Sequence, residues 1–344
     1  MVAPAPRVRL RLSNTPRKLT KTQMLKSVVK NALAQPAIWS PACSVLRPAG
    51  VTVLMYHRIN RETDPFPGTR ARIFEMQMRW LKKNCNVITP EELGEAARNS
   101  SRGRPAVLLT FDDGFRDYHD NACPVLRELG FTGLVFLATG AIDNQAMIWT
   151  DAVSWIAYKT TKDVVELPWD RTERIVLDGE DGRTALAEIS KGFLKDIPDA
   201  QRQDWVRQLA RALHVDPDDG SLARQMLDWE EVRATLDCTR YGGHTHNHPI
   251  LSQIDAASME VEIAMCRKRI VEETRLEPRF FAYPNGRARD FTEVTKALLA
   301  KHGFELGFST IEGIHRDGDD PYAIRRQNTA GHTLGDFALR VIGR

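Results

Sequence analysis

The stretch AVLLTFDDGF, residues 106–115, decides the fold of this chain. Its first half, residues 106–110, is a short, uninterrupted run of mainly apolar residues, which is typical of a buried strand in a parallel sheet. The run stops at two aspartates, and residues 122–129 then show the spacing of a helix that ends at Gly130. A buried strand that leads through a polar turn into a helix is the repeating step of α/β folds.

The same alternation of strand and helix recurs along the chain. Short apolar runs predict strands, and apolar residues spaced three to four apart predict helices between them. The predicted strands cover residues 51–56, 133–138, 239–242, 279–282 and 306–309. The predicted helices cover residues 74–83, 90–99, 256–275 and 290–302. This order predicts a parallel sheet or barrel.

Residues 150–228 interrupt the alternation. They are rich in charged residues, and helical periodicity runs through residues 183–213. No polar cluster follows a strand in this region. We expect a mainly helical insertion that gates or binds a substrate.

The composition is that of a globular protein, because 42% of the 344 residues are hydrophobic and 27% are charged. No run approaches 18 uncharged apolar residues, and the N-terminus lacks the apolar region of a secretory signal, so we expect a soluble protein. The five cysteines are odd in number and include no CxxC pair, which argues against a disulfide framework and a thiolate zinc site. We expect a cytoplasmic protein, or one bound at the cytoplasmic face of the membrane.

Basic residues are concentrated at the N-terminus. Residues 1–61 contain eleven Lys or Arg and no acid, so the rest of the chain carries 37 basic and 45 acidic residues. We divide the chain into a basic extension, residues 1–48, and a folded domain, residues 49–344. Residues 22–34 have the pattern of a short basic amphipathic helix, which suits peripheral contact with anionic lipid. A solvated tail is the simpler alternative and a transit peptide is another, whereas nucleic-acid binding is not expected because no aromatic residues are interleaved.

Polar residues follow four of the predicted strands. His57 follows the first, Asp112 and Asp113 follow the second, three histidines follow a third within residues 244–248, and Pro-Asn-Gly follows a fourth at residues 284–286. The carboxyl ends of parallel strands meet at one edge of a sheet or barrel, where ligands bind. We therefore expect these four groups to share one site.

The adjacent carboxylates of Asp112 and Asp113 suggest a metal. Asp-Gly is a common turn pair, so a plain turn is the simpler explanation of this segment taken alone. Two like charges at a buried strand end raise each other's pKa unless a cation compensates. One carboxylate can ligate a metal while its neighbour accepts protons.

The histidines at positions 244, 246 and 248 add candidate metal ligands. Imidazoles at i and i+4 converge on one ion from a helical turn, and those at i and i+2 converge from a strand, so spacing alone does not choose the pair. Two histidines and one aspartate fill three positions of a tetrahedral Zn²⁺ and leave the fourth for water. This arrangement favours hydrolysis.

Three motifs then resemble, in order and separation, those of the polysaccharide deacetylases, the NodB-homology or carbohydrate esterase family 4 enzymes. They are residues 110–115 (TFDDGF), His244-Thr-x-x-His248 and residues 281–286 (FAYPNG). Residues 53–58 are similar to the opening strand of the subgroup found with exopolysaccharide synthesis and poly-N-acetylglucosamine deacetylation. The resemblance implies a distorted (β/α) barrel of about seven strands that hydrolyses an N-acetyl group from a sugar with a divalent metal.

The resemblance also implies a role for each motif residue. The implied metal ligands are Asp113, His244 and His248, with His246 as a spectator. Asp112 matches the catalytic base, and the backbone N–H at Asn285 matches the group that holds the oxyanion. Zn²⁺ suits this ligand set best, with Co²⁺, Ni²⁺ and Mn²⁺ as alternatives.

Two departures from the family pattern matter. The family's usual proton donor is a histidine on a late strand, but His315 and His332 lie in loop-like contexts. We expect His57, at the end of an apolar strand, to be the general acid, the alternative being a structural histidine. The arginine that usually orients the base is replaced by Ala282, so something else must hold Asp112, and a base without such a partner would mean weak activity or a different substrate. The candidates are Arg58, Arg325 and Arg326.

Four residues are candidate substrate contacts by the same resemblance: Trp149, Asp151, Tyr283 and Pro284. Trp149 is predicted to stack on a sugar ring, with a core position as the alternative. The sequence thus predicts an N-deacetylase of an exopolysaccharide, a lipid-linked precursor or a related glycan. An O-acetyl esterase, a deformylase and a catalytically silent carbohydrate-binding protein are the alternatives.

Overall fold

The structure is a computed structural model that describes residue 39 and residues 47–100, 104–217, 220, 222–329 and 333–343. The predicted amphipathic helix at residues 22–34 lies outside the described residues, as do most of the basic extension and His332. Within the described residues, no helix has the length and apolar character needed to cross a bilayer.

The described chain folds as two compact units. The smaller one begins at Trp149 and ends in the segment before Leu222, and the larger one comprises the described residues on either side of it. The strands are β1 (Val51–Tyr56), β2 (Ile59–Asn60), β3 (Thr69–Arg70), β4 (Asn86–Ile88), β5 (Ala106–Phe111), β6 (Gly133–Leu137), β7 (Val164–Leu167), β8 (Asp170–Val176), β9 (Thr239–Gly243), β10 (Phe280–Ala282), β11 (Leu306–Glu312) and β12 (Ile324–Asn328).

Helices lie between the strands. They are α1 (Ala71–Asn84), α2 (Leu93–Arg98), α3 (Cys123–Leu129), α4 (Thr139–Asn144), α5 (Trp149–Lys159), α6 (Gly179–Lys195), α7 (Asp199–Ala212), α8 (Trp229–Ala234), α9 (Ala256–Thr274), α10 (Glu293–Lys301) and α11 (Leu334–Val341). A single π-helical turn, Tyr118–Ala122, precedes α3, and Gly130 ends α3 in the left-handed conformation with φ 66°.

A closed parallel barrel forms the centre of the larger unit. Strand β1 pairs with both β12 and β5, so seven strands close a ring in the order β1, β12, β11, β10, β9, β6 and β5. Strand β4 pairs with the first half of β5 outside this ring. The predicted α/β barrel of about seven strands is confirmed.

Apolar side chains at alternate strand positions fill the barrel, as closure of a small barrel requires. They are Val51, Val53, Leu108, Leu134, Phe136, Phe280, Ala282, Phe308 and Ile324, and they pack with Leu93 and Ala97 of α2. Strand β1 is buried at every position, which explains its uninterrupted apolar sequence.

The smaller unit contains α5, α6 and α7 together with a two-stranded antiparallel hairpin of β7 and β8. Its helices agree with the predicted helical character of the insertion, but the hairpin was not predicted. The ring of Trp169 stacks on Phe193 of α6 with centroids 4.4 Å apart, and Trp205 of α7 meets the Phe193 ring edge-on. These aromatic contacts hold the two helices and the hairpin turn together.

Candidate active site

A tight turn after β5 carries both aspartates. The backbone N–H of Asp112 donates to the carbonyl of Tyr56 on β1 at 2.9 Å, which fixes the turn to the neighbouring strand. Asp113 (φ 78°) and Gly114 (φ 82°) both have left-handed backbones, which Asp tolerates better than most residues. The two carboxyl groups are buried, with 2% and 5% of their residues' surface exposed.

A second tight turn, after β9, carries the histidines. The backbone N–H of His244 donates to the carbonyl of Leu137 at 3.0 Å, and that of His248 donates to the hydroxyl of Thr245 at 3.0 Å. Thr245 and His248 both have positive φ angles, 63° and 59°. This reversal of the chain brings His244 and His248 to the same side, with ring centroids 4.9 Å apart.

Asp113, His244 and His248 converge as a metal-ligand set would. The Asp113 Oδ1 atom lies 3.2 Å from the Nε2 atoms of both His244 and His248. A tetrahedral ion with bonds of about 2.0–2.1 Å holds its ligand atoms about 3.3 Å apart. The three donor atoms therefore fit a divalent ion, and all three side chains are buried.

The orientation of His244 suits a ligand. Its Nδ1 atom lies 2.7 Å from the carbonyl oxygen of Ala282, which can only accept, so Nδ1 carries a proton and Nε2 is the atom that faces Asp113 and would bind an ion. Burial alone would raise the pKa of Asp113, but hydrogen bonds from His244 and His248 lower it well below its usual range. Asp113 is therefore an anion throughout the neutral range.

Arg326 holds the second aspartate. Its Nη1 and Nη2 atoms donate to Oδ1 and Oδ2 of Asp112 at 2.7 and 2.8 Å, and its Nε atom donates to the carbonyl of Ser309 at 2.7 Å. Burial alone would raise the pKa of Asp112, but the charge of Arg326, followed by that of His57, lowers it below its usual value. The pair keeps Asp112 ionised and fixes the plane of its carboxylate.

The other two candidate arginines have different partners. Arg325 is exposed, and its guanidinium donates to the carbonyl of Glu312. The guanidinium of Arg58 lies between the rings of Phe66 and Phe115, 4.2 and 3.8 Å from their centroids. Among the three arginines, only Arg326 therefore contacts the Asp112 carboxylate in the described structure.

His57 stands beside this pair at the end of β1. Its Nε2 atom lies 3.9 Å from Asp112 Oδ2, and 49% of its side chain is exposed. It is the most exposed side chain of the cluster, since Asp112, Asp113, His244 and His248 are all buried. This exposure suits the predicted general acid better than a structural histidine of the core.

The loop after β10 presents Asn285. Asn285 and Gly286 have consecutive positive φ angles of 64° and 61°. The Asn285 side-chain amide donates to the carboxylate of Asp290 at 2.6 Å, and the backbone carbonyl of Asn285 accepts from Thr310 Oγ1 at 2.7 Å. Sequence reasoning missed Asp290, a buried anchor whose only sequence signal is an acid five residues after the Asn-Gly turn.

Some predicted site residues do not join this cluster. Tyr283 is fully buried, stacks on Phe291 at 4.1 Å and donates its hydroxyl to the carbonyl of Tyr322 at 2.8 Å. The prediction that Tyr283 contacts substrate is wrong, because its ring belongs to the core. Pro284 is buried as well. His246 is not part of the ligand set, since its Nδ1 atom pairs with Thr139 Oγ1 at 2.8 Å.

Trp149 and Asp151 begin α5 in the smaller unit, where both are buried. The Arg202 guanidinium lies 5.2 Å from the Trp149 ring centroid, an internal cation–π contact of that unit. Their contact with a substrate stays a prediction.

The sequence matches the family model for polysaccharide deacetylases over residues 99–181 and 220–307. The two matched stretches contain both tight turns, and the gap between them falls within the insertion. The chain belongs to the polysaccharide deacetylase family. YxkH of Bacillus subtilis (strain 168), a polysaccharide deacetylase homologue, is 31% identical over 105 residues, which are 29% of this chain and 36% of YxkH. The match thus spans about a third of that relative.

Solved structures share the polysaccharide deacetylase fold. The Streptococcus pyogenes deacetylase PplD, in complex with acetate, has a TM-score of 0.57 and 17% identity, over 86% of this chain and all of that one. IcaB from Ammonifex degensii has a TM-score of 0.55 and 19% identity, over 86% and 98%. A de-N-acetylase from Aggregatibacter actinomycetemcomitans has a TM-score of 0.50 and 14% identity, over 83% and 98%. These likenesses concern the fold.

Proposed function

We propose that this chain is a metal-dependent hydrolase that removes N-acetyl groups from N-acetylhexosamine units of a polysaccharide or its lipid-linked precursor, in exopolysaccharide or envelope glycan synthesis. One observation carries the proposal. A set of three donor atoms that fits a divalent ion lies beside a second, separately held carboxylate. In metal-assisted hydrolysis one carboxylate can bind the ion while a second accepts a proton from water, and these are the proposed roles of Asp113 and Asp112.

Asp113, His244 and His248 would hold the ion, and Zn²⁺ suits two imidazoles and one carboxylate best. When bound, such an ion supplies a Lewis acid that polarises the acyl carbonyl and makes water more acidic. Asp112 then accepts the proton of the attacking water. The two hydrogen bonds from the Arg326 guanidinium keep the Asp112 carboxylate ionised and fix its orientation.

Two further groups complete the reaction. The backbone N–H of Asn285 donates to the oxygen that gains negative charge as water adds to the acetamide carbon. His57 donates a proton to the sugar nitrogen as the carbon–nitrogen bond breaks, so acetate and a free amine leave. Its exposed position beside Asp112 supports this role.

The position of His57 favours an amide over an ester as the substrate. An amine is a poor leaving group and departs only when protonated, whereas an alkoxide depends on protonation less. The alternative is an O-acetyl esterase or a deformylase built on the same cluster. The fold that this chain shares with a de-N-acetylase supports an amide substrate.

The test is acetate release by the full chain from N-acetylglucosamine oligomers and from acetylated xylan. Each assay is run on purified protein of measured metal content, after chelation, and after Zn²⁺ is returned. We expect acetate from the oligomers, loss of activity on chelation and recovery with Zn²⁺. The Asp112→Asn variant should bind metal normally and release acetate at least 100-fold more slowly.

Two results would contradict the proposal. Acetate from xylan alone would replace the amidase with an esterase. A metal-free protein whose activity does not respond to chelation would remove the metal from the mechanism.

A further inference from the structure

Two cysteines far apart in the sequence meet in the larger unit. Cys123 is the first residue of α3, and Cys238 directly precedes β9. They are separated by 115 positions, yet their Sγ atoms lie 2.7 Å apart. Both side chains are buried, with exposed fractions of 1% and 5%.

The distance between the two Sγ atoms is only slightly longer than a disulfide bond. The sulfur atoms of a disulfide lie about 2.0 Å apart, so a movement of about 0.7 Å joins the pair. Cys266, by contrast, faces the carbonyl of Leu137 at 3.5 Å, and Cys85 lies after α1. The backbone around the pair is well fixed, since Gly133 donates to the carbonyl of Cys238 at 3.0 Å.

We propose that Cys123 and Cys238 are a reversible thiol–disulfide pair that a hydroperoxide oxidises. The proposal does not depend on the deacetylase activity. The count and spacing of the cysteines argue against a disulfide framework, but spacing carries no information on contacts made through the fold.

The chemistry balances with one hydroperoxide. The Cys238 thiolate attacks a peroxide oxygen, a sulfur–oxygen bond forms and the oxygen–oxygen bond breaks, which gives a sulfenic acid and, with one proton, an alcohol or water. The sulfur of Cys123 then attacks the Cys238 sulfur, and the hydroxyl leaves as water with the Cys123 proton. Two thiols are oxidised and one peroxide is reduced.

Cys238 is the better first nucleophile. It is the more exposed of the two, and the hydrogen bond from the Cys123 thiol lowers the pKa of Cys238 below its ordinary value. The same contact raises the pKa of Cys123, which stays a thiol and waits to resolve the sulfenic acid.

The crosslink would tie together the two backbone stretches that adjoin the active-site turns. Helix α3 follows the turn of Asp112 and Asp113, and β9 leads directly into His244. Closing a loop of this length restricts the unfolded chain strongly, so the oxidised form should be the more stable one.

The test uses the full chain, treated with hydrogen peroxide or with buffer, denatured in N-ethylmaleimide and digested without reduction. Mass spectrometry should find the Cys123 and Cys238 peptides joined and two hydrogens lighter in the oxidised sample only, with dithiothreitol reversing the link. The oxidised protein should melt several degrees higher than the reduced protein. Cys85→Ser is the matched control and should form the same link.

The Cys123→Ser variant tests whether Cys238 is oxidised first, because without Cys123 the sulfenic acid on Cys238 cannot become a disulfide. A sulfenic-acid probe such as dimedone should label Cys238 in this variant and not in the wild type. Two results would overturn the proposal. One is N-ethylmaleimide labelling of both Cys123 and Cys238 in peroxide-treated wild type, which would show that both are still free thiols. The other is a disulfide from either cysteine to Cys43. Because the peptide map uses wild-type protein, the result stands even if a variant fails to fold.

Discussion

At the scale of single residues, the ion pair of Arg326 and Asp112 is the feature that shapes the chemistry. Both groups are almost fully buried, and the guanidinium also holds the carbonyl of Ser309 and the hydroxyl of Thr110. The cation that holds Asp112 comes from β12, two strands along the barrel wall from β10, where Ala282 lies. The proposed base is thus oriented by an arginine that the motif residues alone do not identify.

Replacing Arg326 should separate catalysis from binding. We expect Arg326→Lys to lower kcat about 100-fold with KM nearly unchanged, because an ammonium keeps the charge but cannot form the planar fork on the carboxylate. Metal content should stay at the wild-type level, since no metal ligand contacts Arg326 in the described structure. The measurements are steady-state kinetics on N-acetylglucosamine oligomers and metal analysis.

Arg326→Ala leaves a buried carboxylate unpaired and should cost about 3–5 kcal/mol of stability. The double variant Arg326→Ala with Asp112→Asn removes both charges and serves as its folding control. A kcat within threefold of wild type in Arg326→Lys would show that the fork is not needed.

His57→Ala should show a dependence on the leaving group. We expect its kcat on N-acetylated sugar to fall 100- to 10,000-fold, because the departing amine loses its proton donor. Activity on a phenyl acetate with an acidic leaving group should fall less than tenfold. Equal losses on both substrates would assign His57 to positioning, and metal analysis checks that the site stays intact.

Many of the site residues follow from sequence because strand ends are visible in it. Uninterrupted apolar runs stop at Asp112, Asp113 and His57, so their shared location can be predicted from the sequence alone. The choice of Arg326 over Arg325 cannot, since the alternating sides of β12 decide which of two adjacent arginines points inward. Tyr283 was wrong for a related reason: a motif names a residue without saying which way its ring turns.

At the scale of elements, β9 has to pass close to its neighbours. A Cβ atom on Gly242 would lie 2.5 Å from the carbonyl oxygen of Phe280 and 2.7 Å from the Phe136 ring. Glycine is therefore required at this point of the barrel wall, just before the turn that holds His244 and His248, the proposed metal ligands.

Gly242→Ala should destabilise the larger unit by about 2 kcal/mol or more, because the strand must move away from β10 and Phe136. Gly94→Ala is the matched control in the same unit, since Gly94 lies on the exposed side of α2 and its added methyl would meet only the flexible end of Arg98 at 3.6 Å. We expect that variant to gain up to about 1 kcal/mol. Urea unfolding measures both changes, and equal midpoints for the two variants would contradict the crowding argument.

The elements that sequence reasoning missed are those whose burial is polar or whose length is short. Strand β12, Ile324–Asn328, buries Arg326 and Gln327 and has one apolar residue, so no apolar run marks it. The β7–β8 hairpin lies among charged residues and alternates too briefly to stand out. The predicted strands with apolar sequences were found within three residues of their ends.

At the scale of the whole molecule, His315 links stability to pH. It lies between β11 and β12, and its backbone bonds with Val51 at the start of β1 in both directions, at 2.7 and 3.0 Å. Burial lowers the pKa of His315 below its ordinary value, with partial compensation from Asp319 and Asp317. The folded protein therefore holds this histidine neutral where the unfolded chain binds a proton.

The sign of the effect follows from that difference. As pH falls below about 6.5, the unfolded chain takes up the proton first, so His315 lowers stability progressively in acid. We expect His315→Gln to lose less stability than the wild type between pH 7 and pH 5.5. Urea midpoints at four pH values measure the two slopes, and parallel slopes would remove His315 as a source of acid sensitivity.

The pairing of β1 with β12 also limits when the barrel can close during synthesis on the ribosome. The ring closes only after Gln327, which pairs with Leu54 and lies about 270 residues later in the chain, has been synthesised. Until then, one edge of an apolar strand stays open to any other extended chain. Nascent protein should therefore need chaperone protection until β12 has been synthesised, and frameshifts before Ile324 should yield aggregates instead of shortened enzymes.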